Sequence, residues 1–311
     1  MNRENKQTQP LVSILMPYYE LGDLLQEAVS SVIAQTYPNW ELVIVDDCSP
    51  NCSAADALSN FRDQRIKIIR HEKNLGNASG RNTAAKNSTG AIYLSLDSDD
   101  LLEPTYIEKT VDAMFEAEAS AVYTDIQIFG FHNYVYTPSA DLGDIIAGHY
   151  PHNTFIYKKE VFDLVGGYKN IEAVVDTEFW ISALEVGTKF AYVPEPLWRY
   201  RKHSSSWSQN YSSIGNAFYK VLIQHIDTAK KHVPRMLEDM IQRAENDIQQ
   251  LEKRDKPRED YQRMHKEFHD LLHEYEHLEK QAQKTEEILG SLPKLVKQLT
   301  YVTMKKVGLK S

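Results

Sequence analysis

Glu41-Leu42-Val43-Ile44-Val45-Asp46-Asp47 and Tyr93-Leu94-Ser95-Leu96-Asp97-Ser98-Asp99-Asp100 share one design, a short apolar run that ends in carboxylates. Continuous runs of this length, rich in Val, Ile and Leu, read as buried strands of a largely parallel sheet. In open α/β sheets a ligand binds in the crevice beyond the carboxyl ends of the strands. Two strands that each deliver aspartates there point to one shared acidic site. Gathered carboxylates repel one another, and a hard divalent cation is the usual counter-charge.

Outward from these runs, the chain alternates strand and helix patterns. Leu11–Met16 reads as a first strand closed by Pro17. Asp23 reads as the cap of a helix through Gln35 that carries Leu24, Leu25, Ala28 and Val32 at helical spacing. After the Leu42–Val45 strand come a helix near Ala54–Phe61 and a strand at Ile66–Arg70. The segment Asn74–Gly80 reads as a loop leading into a helix near Arg81–Lys86, with Gly90 as its stop before strand Ile92–Leu96. Such alternation predicts parallel strands joined by right-handed crossovers. Beyond it, the pattern predicts a strand at Ala121–Phe129, helices near Lys159–Val165 and Asp176–Glu185, and then short strands.

After about Ser213 the chain changes character, which divides it into an α/β part, residues 1–212, and a helical extension, residues 213–311. Leu237, Ile241, Ala244, Ile248 and Leu251 form one heptad seam, and Tyr261, Met264, Phe268, Leu271, Tyr275, Leu278 and Ala282 form another. Asp255-Lys256-Pro257 breaks the register between them. Two readings stand side by side: helices packing on their own domain, and a coiled coil that joins copies of the chain. A last segment places Leu292, Leu295, Val296, Leu299 and Val302 on one face, with Lys294, Lys297, Lys305, Lys306 and Lys310 around it. It reads either as a docked surface helix or as a basic amphipathic helix lying on anionic lipid.

Composition narrows the partners. The 311 residues are 42% hydrophobic and 25% charged, ordinary for a globular protein. A net charge of −9 argues against a nucleic-acid partner, because phosphate neutralisation needs a basic surface. Cys48 and Cys52, the two cysteines, make no metal-ligand or redox spacing. Met1–Gln9 is polar, without the apolar core of a signal peptide, and no apolar run reaches membrane-spanning length. The expected location is therefore the cytoplasm, with the basic tail a route to the inner face of the plasma membrane.

Chemistry follows from the acids. Asp97 and Asp99 sit two apart, so in extended backbone they lean to the same side. Oxygen ligands suit Mg2+ or Mn2+, ions that bridge substrate phosphates. The natural ligand is then a nucleoside diphosphate compound. Asp46 and Asp47 would line its nucleoside end, with Tyr18 or Tyr19 as an aromatic platform. Arg81, opening a helix after a glycine-containing loop, can neutralise the nucleotide.

The ordered set ILMPYYE (14–20), QTYPNWELVIVDDCS (35–49), NLGNASGRN (74–82), LDSDD (96–100), VGGY (165–168) and DTEFW (176–180) resembles the family 2 glycosyltransferases. The resemblance covers about Leu11 to Ser208 and leaves the C-terminal helices outside. It implies a GT-A fold, α/β and Rossmann-like, with a mixed, mainly parallel sheet flanked by helices, here with a C-terminal helical region. It further implies an inverting transfer of sugar from a UDP-sugar donor to a hydroxyl on a glycan, lipid-linked or protein-linked acceptor. Asp97 and Asp99 match the DXD motif, with Asp99 and His203 as metal ligands. Pro17, Tyr19, Glu20, Asp47, Arg81, Asp97 and Ser98 match the donor-binding set, and Asp176 falls where the family places its catalytic base. Three positions depart from the pattern: Glu20 stands where asparagine is usual, Cys48 replaces a glycine, and Val175 replaces an acid. The loops around Asp125–Tyr150 and His152–Thr154 are where the transferred sugar would be read.

Two other functions compete. A sugar-nucleotide-forming nucleotidyltransferase would carry a glycine-rich, basic loop directly after the first strand, and Pro17-Tyr18-Tyr19-Glu20 offers none. A catalytically silent scaffold that recruits partners through its coiled coil would have no need of Asp97, Asp99 and Asp176.

Overall fold

The computed structural model describes residues 9–146, 155–171, 174–203, 211–229 and 231–232. The chain divides into two units, Met1–Ile145 with His149–Ala217 and Ile146–Gly148 with Phe218–Ser311. The first unit holds the sheet. Its opening half is β1 (Val12–Tyr18), α1 (Gly22–Ile33), β2 (Trp40–Asp46), α2 (Ala54–Ala57), β3 (Ile66–Arg70), α3 (Asn77–Lys86) and β4 (Ile92–Ser95). Then follow β5 (Leu101–Leu102), α4 (Tyr106–Glu116), β6 (Ala121–Gly130), β7 (Tyr134–Tyr136), α5 (Leu142–Ile146), β8 (Ile156–Lys158), α6 (Lys159–Val165), α7 (Val175–Glu185) and β9 (Phe190–Lys202). Helix α8 (Tyr211–Gln224) comes after them.

The sheet runs in the order β3-β2-β1-β4-β8-β6-β9-β5, with β7 paired to β6. β3, β2, β1 and β4 are mutually parallel, in register Val12↔Trp40 and Val12↔Ile92. All seven residues of β1 are buried, as a central strand covered on both faces requires. β8 then runs antiparallel to β4 and to β6, and β9 lies parallel to β6 across a bulge at Asp125. The sheet is thus mixed, with its parallel half carrying the two acidic strand ends.

Several local expectations need correction. Leu21 occupies the N-cap of α1, without a side-chain bond, and Asp23 sits within the first turn. Helix α2 spans only Ala54–Ala57, capped by Ser53, whose hydroxyl accepts from the Asp56 N–H. Helix α3 begins at Asn77, earlier than its composition suggests, because Gly76 (φ 86°) makes the turn into it. In place of short strands near the end of the sheet stands one 13-residue strand, β9. Strand β6 falls where a strand is expected and contains Asp125, so the loop expected around Asp125–Tyr150 begins only after Gly130 and is itself interrupted by β7. Strands β5, β7 and β8 carry no clear signal in the sequence, whereas the missed helix α4 has one, with Tyr106, Ile107, Thr110, Val111 and Met114 buried at helical spacing. The heptad seams and the basic tail fall outside the described residues.

Two glycines set how closely elements approach. A Cβ on Gly80 would lie 3.0 Å from the Pro17 Cβ, so α3 packs directly on the end of β1 and carries Arg81 to the strand ends. A Cβ on Gly90 would meet the Leu11 carbonyl oxygen and Ser13 Oγ at 2.5 Å each, so only glycine fits there.

Candidate active site

Each acidic strand end divides its labour. Asp46 is buried and structural: its carboxylate accepts from the N–H groups of Ser49 (2.8 Å) and Ala54 (3.0 Å) and pairs with Arg70 at 2.6 Å. Asp47 points to the segment beyond β3. Its oxygens accept the backbone N–H groups of Leu75 (2.8 Å) and Gly76 (2.7 Å), and His71 Nδ1 lies 2.7 Å from Oδ1. His71 Nε2 in turn meets Thr83 Oγ1 at 2.9 Å. Asp47 therefore ties the end of β2 to the loop that launches α3.

The tyrosine pair at the end of β1 resolves in one sense. Tyr18 is 1% exposed, and its hydroxyl donates to the Cys52 carbonyl (2.8 Å) and accepts from the Gly22 N–H (3.2 Å). Tyr19 is 45% exposed and is the ring available to a ligand. Pro17 is buried against α3. Glu20 and Cys48 both adopt positive φ, 57° and 64°, which explains why asparagine and glycine are usual at these two places. Glu20 offsets its strain by accepting from the Asn51 N–H (2.8 Å), Asn51 Nδ2 (2.7 Å) and the Cys52 N–H (3.1 Å).

At the end of β4, Asp97 bonds Arg81 Nη2 at 2.7 Å, while Asp99 meets His203 Nε2 at 3.0 Å. Ser98 between them is buried. Asp100 turns fully inward, accepting from Trp198 Nε1 (3.2 Å) and the Arg201 N–H (2.9 Å). Arg201 also donates through Nε to the Asp99 carbonyl (2.9 Å). The turn after β4 is thus stapled to β9, the strand that delivers His203. Burial raises the Asp99 carboxyl above its ordinary range, with Asp97 adding and His203 opposing. Asp100 is raised further, by burial and then by both neighbouring acids.

Asp176 joins this group from α7. The helix starts after Val174 in left-handed geometry (φ 53°), a costly conformation for a β-branched residue. Asp176 lies inside the first turn and not at the N-cap, and its Oδ1 accepts from the Thr177 N–H at 3.0 Å. Crowding by surrounding protein raises its pKa; Arg81 pulls the other way, and Asp97 adds to the rise. For Arg81, burial opposes the charge, and Asp97, then Tyr168 and Asp176, more than offset it. Asp97, Arg81 and Asp176 are therefore within electrostatic reach of one another. An open hollow of about 700 Å³ between α1 and β5, lined by Asp23, Glu27, Leu102 and Arg199 among others, contains none of these groups.

Among the described residues, no group of three or more His, Cys, Asp or Glu side chains gathers closely enough to hold a metal by itself. Asp99 and His203 supply two donors, an oxygen and a nitrogen. That set fits an ion that takes its other ligands from substrate phosphates and water, the habit of Mg2+ and Mn2+.

The family described as Glycosyl transferase family 2 matches residues 13–175, over half of the chain. This chain belongs to that family. It is 30% identical over 215 residues to the putative teichuronic acid biosynthesis glycosyltransferase TuaG of Bacillus subtilis, covering 65% of this chain and 83% of TuaG. It is 37% identical over 125 residues to the UDP-Glc:alpha-D-GlcNAc-diphosphoundecaprenol beta-1,3-glucosyltransferase WfgD of Escherichia coli, covering 40% of this chain and 49% of WfgD. In fold it is similar to S. aureus TarS 1–349 crystallised with UDP-GlcNAc, with a TM-score of 0.59 at 18% identity over 74% of this chain and 66% of that one. The protein is a glycosyltransferase of GT-A fold. No helix among its described residues is long and apolar enough to cross a membrane.

Other residues support this arrangement, although their roles are not assigned in the sequence reading. His71 and the N–H groups of Leu75 and Gly76 fix Asp47. Asn82 brackets Tyr168, donating to its carbonyl (2.7 Å) and accepting from its N–H (2.9 Å). The Tyr168 ring lies 5.3 Å from the Arg81 guanidinium carbon. Asn82 and Tyr168 stand inside two of the recognised motifs, NLGNASGRN and VGGY, so their signal was present without an assigned role. His71 had no such signal.

Proposed function

We propose that this glycosyltransferase moves a sugar from a UDP-sugar to a hydroxyl of a cell-surface glycan acceptor, with inversion at the anomeric carbon. The observation that carries the reading is the shared electrostatic neighbourhood of Asp97, Arg81 and Asp176, from three separate elements, beside the Asp99–His203 pair. Support for the donor comes from WfgD, named for UDP-Glc, and from the TarS complex with UDP-GlcNAc. Support for the acceptor class comes from TuaG, named for teichuronic acid synthesis.

In this reading Tyr19 packs on the uracil and Asp47, through the loop it fixes, shapes the same end. Arg81, held by Asp97 and Tyr168, supplies positive charge at the nucleotide. Asp99 and His203 would hold Mn2+ or Mg2+, which when bound offsets the charge gathering on the departing diphosphate. Asp176 accepts the proton of the acceptor hydroxyl as its oxygen forms a bond to the anomeric carbon. The bond from that carbon to the diphosphate oxygen breaks on the opposite face, and UDP leaves with the electron pair. Its raised pKa makes Asp176 a stronger proton acceptor than an ordinary carboxylate. A panel of UDP-, GDP- and dTDP-sugars, assayed for hydrolysis with Mn2+, tests the donor assignment. Turnover confined to UDP-sugars supports it, and preference for another nucleotide refutes it.

A further inference from the structure

We infer that Tyr192, Asp125 and Thr137 form a subsite for a pyranose unit of the acceptor glycan, distant from the reacting hydroxyl. The inference rests on the transferase reading above and adds a place where the acceptor chain is held.

An aromatic row leads to it. Trp180 stands one helical turn after Asp176 on α7, so the two share a face of the helix. From Trp180 the ring centroids step 4.7 Å to Phe155, 5.3 Å to Tyr123 and 5.0 Å to Tyr192, the last two steps stacked at 28° and 26°. Trp180 and Phe155 are buried, Tyr123 is half-buried and Tyr192 is 40% exposed. The row therefore runs from the core beside the proposed base to the surface, where it ends in a ring backed on one side by Tyr123.

That last ring is held in place. The Tyr192 hydroxyl donates to Asp125 Oδ1 at 2.6 Å, and the Thr137 hydroxyl donates to the same oxygen at 2.6 Å. No described group donates to Asp125 Oδ2, which leaves an acceptor beside the ring. Asp125 sits at the β6 bulge, where the register to β9 shifts on both sides of it, and bulges commonly re-aim a side chain toward a site. Its height on the sheet matches the donor site. Val122 pairs with Ile156, and Ile156 with Leu94, so Asp125 and Asp97 each lie three residues beyond one aligned row.

The chemistry selects a sugar. A pyranose has an apolar C–H face and a rim of hydroxyl donors, which match a fixed aromatic face and a half-satisfied carboxylate. Both protein groups are locked before binding, which lowers the entropy lost on association.

The test uses the full chain, an immobilised panel of hexose and N-acetylhexosamine oligosaccharides from two to six units, and UDP binding by calorimetry. Wild-type protein should retain members of the panel. Tyr192→Ala should weaken retention by about tenfold, the size of a lost aromatic contact and its hydrogen bond. Tyr192→Phe and Asp125→Asn, which cannot unfold the domain by loss of volume, should weaken it to a smaller degree. UDP affinity should stay unchanged in all three. Retention unaltered by Tyr192→Ala, or a wild type that binds UDP and no oligosaccharide, overturns the subsite. A wild type that binds no UDP overturns the transferase reading, and the subsite with it.

Discussion

Arg81 Nη2 lies 2.7 Å from Asp97 Oδ1, while its charge also holds down the pKa of Asp176 on α7. One buried cation thus serves two carboxylates with different proposed tasks. Arg81 is 3% exposed, so its removal breaks the pair with Asp97 and takes away the positive charge that acts on Asp176.

Arg81→Ala should therefore destabilise the fold by about 3 kcal/mol, the size expected for a broken buried pair. It should also raise the Asp176 pKa, shifting the acidic limb of the transfer rate to higher pH. Arg81→Lys should keep much of the stability and lose part of the UDP affinity. Denaturant melts and a pH–rate profile check both, and an unshifted limb in Arg81→Ala contradicts the coupling.

Asp176→Asn should leave UDP binding intact and cut transfer by roughly 10²–10⁴-fold, the usual contribution of a general base. The same substitution bears on stability, with a sign that can be worked out. The folded pKa of Asp176 lies above its unfolded value, because burial disfavours the charged form. The resulting penalty is absent below the unfolded pKa and complete above the folded one. Wild type should therefore lose stability relative to Asp176→Asn as pH rises through that window, and at pH 7 the variant should melt higher. An equal or lower Tm for the variant at pH 7 would count against a partly buried Asp176 that is charged in the folded protein.

Gly167→Ala tests the support under Arg81. Gly167 has φ 80°, and an added Cβ would lie 2.8 Å from Asn82 Oδ1 and 3.0 Å from Phe162. Asn82 holds Tyr168, and Tyr168 faces Arg81. The substitution should cost about 1–3 kcal/mol from strain and overpacking and raise the donor KM. Unchanged donor KM in a folded variant would show that Tyr168 does not position Arg81.

Cys48→Gly should stabilise the protein by about 0.5–1 kcal/mol, because Cys48 sits at φ 64° where glycine is relaxed. The Cys48 thiol contributes only a long contact to the Glu72 carbonyl at 3.5 Å. Loss of stability in this variant would mean that the thiol contact outweighs the backbone strain.

Much of this was legible in the sequence, for a physical reason. Parallel strands buried on both faces must be continuous apolar runs, so β1, β2 and β4 announce themselves, and the acids at their ends stand out against them. α6 and α7 fall within a residue of expectation because Gly166 and the apolar spacing mark them. β5, β7 and β8 are two or three residues long and have no periodicity to read. Asp46 and Asp47 are adjacent and chemically identical, so only coordinates could give one to Arg70 and α2 and the other to His71 and α3. The same holds for Tyr18 and Tyr19, and for Asp99 and Asp100. Glu20 and Cys48 read as departures in side-chain chemistry, yet their consequence lies in φ.

In the proposed function, Asp99 and His203 complete a cation site that grips the donor diphosphate. Calorimetric titration of UDP, with and without Mn2+, into wild type and Asp99→Ala tests it most directly. Affinity should depend on Mn2+ in wild type and fall at least tenfold in Asp99→Ala, with the melting transition still cooperative. UDP affinity equal in both proteins, or indifferent to Mn2+, would contradict it.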